Sequence, residues 1–126
     1  MIRDTRTISL RCRLALISVL VVSACATTSA PRALAVGGQA AFEAEVVQLD
    51  TTPWTYDGNA VVTVSSATAG TVRVQLPARW NLCKAAPPGD VQALQPGDRV
   101  QVAGTVAAAG EVVVCEQAQH RLRKVE

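Results

Sequence analysis

Aromatic side chains and histidine are scarce in this chain, and each scarcity removes a class of function. The 126 residues carry four aromatic rings, Phe42, Trp54, Tyr56 and Trp80, and a single histidine, His120. One histidine cannot build a multi-histidine metal site, and no serine or cysteine sits in a recognisable nucleophile motif. There is no Cys-x-x-Cys pair. The carboxylates are scattered singly rather than paired across a cleft. Gly37-Gly38 lies in a run of small residues and not in a phosphate-binding loop. These absences argue against an enzyme: catalytic residues, metal and cofactors are all expected to be none.

Long apolar runs are missing too. Leu14 to Val22 spans nine residues, too short for a mature helix to cross a bilayer. Arg3, Arg6, Arg11 and Arg13 precede it, and a basic segment before a short apolar core is a secretory signal. The formal charge of +2 is therefore misleading. Of twelve Lys and Arg, four lie ahead of Cys25, and of ten Asp and Glu one does, which leaves eight cations against nine carboxylates. A chain so near neutrality has no overall field to attract a polyanion.

At the end of the apolar run, Val22-Ser23-Ala24-Cys25 resembles a bacterial lipobox. The resemblance implies cleavage before Cys25 by signal peptidase II and diacylglycerol on Cys25. Several acyl chains anchor stably where one is marginal. Ala26 follows the cysteine, which in enterobacterial lipoproteins implies an outer-membrane location facing the periplasm. Ordinary secretion stays open, because Ala24-Cys25-Ala26 and Ala33-Leu34-Ala35 both fit the small-x-small pattern of signal peptidase I. The organisation expected is a signal peptide over 1–24, a lipidated cysteine and flexible tether over 25–40, and one domain over 41–126.

Four cysteines thus reduce to two. Cys12 leaves with the signal and Cys25 takes the lipid, so Cys83 and Cys115 remain in an oxidising compartment, where a disulfide between them is expected. The alternative is a metal site of Cys83, Cys115 and His120 with Glu116. In regular β geometry, however, five positions place Cys115 and His120 on opposite faces.

What the chain has in quantity is alternation. Phe42, Ala44 and Val46 share one parity and Leu49 the other, a change that a β-bulge produces in a long bent strand over 41–50. Thr51 to Asn59 reads as a loop. Strand two is expected near 60–66, a turn at Thr68-Ala69-Gly70, and strand three at Thr71–Leu76 with Val72, Val74 and Leu76 inward. Pro77 can open a helix carrying Trp80 and Cys83, Pro87-Pro88 stops it, and Asp90 can cap a second turn with Val91 and Leu94. Leu94 to Glu116 reads as a hairpin. Pro96-Gly97 suits the centre of a type II turn, Val100, Val102 and Val106 alternate, and Gly104 falls where a tightly curved sheet has no room for a side chain. Ala107 to Gly110 is the expected loop and Val112 to Cys115 the return, with Gln119 to Val125 extending the last strand.

That order, and the L-x-P-G-D-x-V-x-V-x-G stretch from Leu94 to Gly104, resembles the oligonucleotide/oligosaccharide-binding (OB) barrel over residues 41–126. It is also similar to small β-barrel domains of unknown function in bacterial secreted proteins. The fold class expected is all-β: a five-stranded OB-like barrel with a short helical insert between strands three and four. The stretch is a structural signature and transmits no activity. OB folds that hold single strands stack bases on aromatics of strands two and three. Here the outward positions are Val61, Thr63, Ser65, Thr71, Arg73 and Gln75, none of them aromatic. His120-Arg121-x-Arg123-Lys124 is a local cation cluster, but a basic end is more often a solvated strand face.

The expectation is a non-catalytic, monomeric envelope module, held to the membrane by its lipid, that meets a protein, peptide or glycan partner. Nucleic-acid binding and a purely structural lipoprotein are the alternatives. The candidate partner-binding residues are Trp54, Tyr56 and Arg73. Two rings at i, i+2 in Thr-Pro-Trp-Thr-Tyr would point the same way in an extended segment. The competing role for Trp54 is a lid over one end of the barrel.

Overall fold

Alternating valines need a second sheet face to bury against, and the chain provides it by closing on itself. In a computed structural model, residues 32–126 are described; the expected signal peptide and the lipobox with Cys25 lie outside them. Six strands form the sheet: β1 (Gln39–Asp50), β2 (Ala60–Ser66), β3 (Gly70–Leu76), β4 (Arg99–Ala108), β5 (Glu111–Val113) and β6 (Arg121–Lys124). β1 to β5 close into an all-β barrel in the order β1-β2-β3-β5-β4-β1. Every contact in it is antiparallel except β3 with β5. Closure pairs the barrel strands β1 to β5 all round and leaves β6, outside the ring, as the edge strand of the sheet.

β1 is the seam. Its first half pairs with β4, from Gln39 opposite Thr105 to Glu45 opposite Arg99, and its second half with β2. The register shifts between Val46 and Gln48, leaving Val47 as the extra residue. That bulge is the one the parity change in the sequence called for. The Pro96-Gly97 turn anchors the same point: Gly97 N–H donates to Val46 O at 2.8 Å and Val46 N–H to Asp98 O at 2.8 Å. Gly97 has φ +96° and Asp98 N–H donates to Gln95 O, as a type II turn requires.

The core is almost entirely aliphatic. Val62, Val64, Val72, Val74, Val100, Val102, Val106, Val112, Val114 and Leu76 are each at most 1% exposed, and Leu122 is 2% exposed. Branched side chains fit a pleated surface, and burying each contributes on the order of 1.5–3 kcal/mol. Gly104 sits where β4 and β5 approach closely. A Cβ there would lie 2.5 Å from Val113 O and 2.6 Å from a Val112 methyl, so β4 and β5 approach in a way only glycine allows.

Several boundaries differ from the sequence reading. β1 starts at Gln39 rather than 41, and the chain already runs along the barrel before it: Arg32 N–H donates to Thr68 O, and Gly37 N–H to Val106 O. The loop after β4 is shorter than Ala107–Gly110, and the return strand is Glu111–Val113 rather than Val112–Cys115. The segment after Cys115 does not extend β5. The chain turns at Gln117–His120, then crosses to pair with the other half of β4 as β6.

The helical insert between β3 and β4 is not an α-helix. It holds two single 3-10 turns, Trp80–Leu82 and Val91–Ala93. The first cannot continue because Lys84 and Ala85 N–H both turn to Cys115 O, at 2.9 and 3.0 Å. The second is capped as expected: Asp90 accepts from Ala93 N–H at 3.2 Å, and Val91 and Leu94 are buried. Cys83 and Cys115 form a disulfide, with Cα atoms 4.7 Å apart.

Candidate functional site

The loop between β1 and β2 is a 3-10 turn, Thr52–Tyr56, and not an extended segment. Pro53 presets its φ, Asp50 Oδ1 accepts from Thr52 N–H at 3.0 Å, and Asp57 ends it in the left-handed region at φ 67°. Positions i and i+2 are about 240° apart in a 3-10 helix, so Trp54 and Tyr56 do not share a face. Trp54 turns inward, packs half-buried against the core and donates its indole N–H to Leu76 O at 2.9 Å. That is the geometry of a lid over the end of the barrel. Tyr56 is 70% exposed.

Arg73 stands on the outer face of β3 directly opposite Glu111 of β5 and bonds it at 2.9 Å, while Gln75 donates to the other carboxylate oxygen at 3.1 Å. Its cation is thus partly neutralised. The outer face around it, with Gln48, Asp50, Val61 and Thr63, forms a shallow recess of about 180 Å³ without an aromatic ring. Neither Trp54 nor Tyr56 lines that recess.

His120 is buried, and both its ring nitrogens are used. Nε2 meets Gln39 Oε1 at 2.7 Å, and Nδ1 accepts from Cys115 and Gln117 N–H at 3.3 Å each. This bonding fits the neutral ring protonated at Nε2. Desolvation pushes the His120 pKa below its ordinary value, against a smaller upward pull from Glu116. With the two sulfurs bonded to one another, the alternative metal set of Cys83, Cys115, His120 and Glu116 has no free thiolate and no free imidazole nitrogen. The histidine also drops out of the cation cluster; Arg121, Arg123 and Lys124 stay exposed.

The larger recesses lie elsewhere, around the insert. A groove of about 380 Å³ runs between Gly89–Leu94 and Leu122–Lys124, and its apolar lining is Val91, Ala93, Leu94 and Leu122. A second, of about 340 Å³, continues it past Pro87 and Pro88 to Ala118–Arg123. A third, of about 270 Å³, lies on the far side of the same strap, between Trp54, Trp80 and Pro87–Gln92. All three share Gly89. Pro87-Pro88 does more than stop a helix: the strap it forms lies off the barrel and leaves grooves on both sides, for which the sequence carries no local signal. The sequence reading also missed the tie from the lid loop to the insert, where Arg79 holds both carboxylate oxygens of Asp57, at 2.9 and 2.6 Å.

No family model matches the chain, and no curated protein or solved structure matches it at a significant level.

Proposed function

We propose that the chain is an exported, non-catalytic lipoprotein, anchored through Cys25, whose OB-like barrel engages a protein, peptide or glycan partner in the cell envelope. The OB likeness draws support from the strand order, the parallel β3–β5 contact and the long bulged β1 shared between β2 and β4. The carrying observation is the set of grooves along the Pro87–Asp90 strap: two lie between it and β6, edged by Arg121, Arg123 and Lys124, and a third lies on its far side beside Trp54 and Trp80. Surfaces that bind partners combine an apolar floor with a polar rim in this way. Tyr56, exposed on the neighbouring loop, adds a ring with a polar handle.

Two measurements test the reading. Intact mass of the membrane-extracted protein is expected to give a chain beginning at Cys25 with diacylglycerol attached; an unmodified soluble chain beginning at Thr27 or Val36 overturns the anchor. A pull-down from envelope extracts at low salt is expected to recover a discrete protein or glycan. Recovery of nucleic acid alone, or of nothing, overturns the partner reading in favour of an OB nucleic-acid binder or a structural lipoprotein.

A further inference from the structure

β6 pairs with β4 on one side only, and the phase of that pairing fixes what its other side offers. The register sets Lys124 opposite Val100, Arg123 opposite Gln101, Leu122 opposite Val102 and Arg121 opposite Ala103, and Val125 N–H donates to Arg99 O at 2.8 Å. In an antiparallel ladder alternate residues turn their N–H and C=O toward the partner and then away from it. With Val125 turned toward β4, Arg123 and Arg121 are too, so Leu122 and Lys124 present their backbone groups on the opposite edge. Among the described residues no strand pairs with that edge. It opens onto the groove of about 380 Å³ whose other wall is Gly89–Leu94.

Charge decides the occupant. Arg121 has no carboxylate partner among the described residues, Arg123 bonds the neutral Gln101 side chain at 3.2 and 3.1 Å, and Lys124 lies 3.5 Å from Asp98. A second copy pairing antiparallel through Arg121-Leu122-Arg123-Lys124 would set cation against cation, which destabilises a cross-strand pair. An acidic strand would set opposite charges there instead. Leu122 points to the core side and adjoins the apolar lining of the groove, so the incoming strand needs apolar residues at the alternate positions.

We propose that the free edge of β6 takes up an extended peptide of alternating acidic and apolar residues by strand addition. Backbone hydrogen bonds to Leu122 and Lys124 would hold it, the groove would receive its apolar side chains, and Arg121 and Arg123 would select its carboxylates. The inference rests on the partner-binding reading and names the partner's chemistry. It also places the contact away from the outer face of β2 and β3.

The test uses the full chain in mild detergent and a fluorescent, end-blocked peptide of alternating Glu and Val, with the Lys-Val counterpart as control. Fluorescence anisotropy is expected to show saturable binding of the acidic peptide, at least tenfold tighter than the basic one and weakened by salt. Lys124→Pro removes an N–H that faces the groove and not β4, so the barrel should melt as the parent does while the peptide loses at least tenfold in affinity. Lys124→Ala keeps the N–H and should retain most of the binding. The double variant Arg121→Glu/Arg123→Glu should reverse the preference between the two peptides. Equal binding of both peptides, no binding of either, or unchanged binding by a folded Lys124→Pro variant overturns the proposal. If Lys124→Pro still recovers the envelope partner, the edge is overturned while the partner-binding reading stands.

Discussion

Breaking the Cys83–Cys115 bond tests how the barrel and its insert hold together. The bond joins residues 32 positions apart. Loss of unfolded-chain entropy for a loop of that length gives about 3 to 4 kcal/mol at 25 °C. At about 0.05–0.15 kcal/mol per residue, the described residues hold about 5 to 14 kcal/mol in all. The bond therefore accounts for about a fifth of the stability or more. The folded geometry should survive its loss, because Lys84 and Ala85 N–H still hold Cys115 O and the valine core does not involve the sulfurs. The measurement is urea unfolding of the protein, oxidised and reduced, alongside a Cys83→Ala/Cys115→Ala variant. The midpoint should fall, and the slope should rise because the uncrosslinked chain exposes more surface when unfolded. Both reduced forms should lose about 3 to 4 kcal/mol. A loss below about 1 kcal/mol with an unchanged slope would refute the reasoning, since it would mean that the unfolded chain is not constrained by this bond. So would free reaction of both thiols in the native protein purified without reductant.

Trp54→Ala should cost about 2 kcal/mol by urea unfolding, below the roughly 3–5 of a fully buried tryptophan because the ring is only half-buried, even though its bond to Leu76 O is lost too; Tyr56→Ala should cost under about 0.5 kcal/mol. Equal effects of the two would remove the lid assignment. His120 supplies a pH dependence. Its folded pKa lies below the ordinary value, so below about 6.5 the unfolded chain binds the extra proton first. Stability should therefore hold above that pH and fall as the pH drops through the window beneath it. Urea midpoints across this range should flatten in His120→Asn, and a midpoint that rises on acidification would contradict the sign.

Much of the barrel could be read from residues because its cause is local. The period of two in Val100–Val102 and Val72–Val74, the parity change before Leu49 and the Pro96-Gly97 pair each act over a few positions, and each appears where the pattern put it. Gly104 could also be read, since a lone glycine in a valine strand has few other uses. The insert could not. Whether Trp80–Leu82 continues as a helix is decided by Cys115 O, a group over thirty residues away that takes the N–H bonds of Lys84 and Ala85. Thr52–Tyr56 was ambiguous for another reason: Pro53 permits both an extended chain and a 3-10 turn, and the Asp50 side chain with Asp57 in the left-handed region decides between them. β6 was hidden because the turn that separates it from β5 depends on His120 folding its ring back onto Cys115 and Gln117.

The shortage of aromatics, first met as a composition, acquires a structural consequence. The interior of the barrel is filled by valine and leucine, and the rings lie at its margins. Trp54 and Trp80 pack against the core at the end where β3 runs into the insert, and Phe42 packs half-buried from β1. Three of the four rings are thereby committed to the core, and only Tyr56 stays largely in solvent. Base or sugar stacking on the barrel face therefore has almost no side chains left to carry it. The groups still uncommitted are of other kinds: a row of backbone donors and acceptors along one strand, the cations beside it, and the apolar wall of the strap. Those are the means by which proteins take up extended peptides, and they are the groups on which the proposed strand addition at β6 draws.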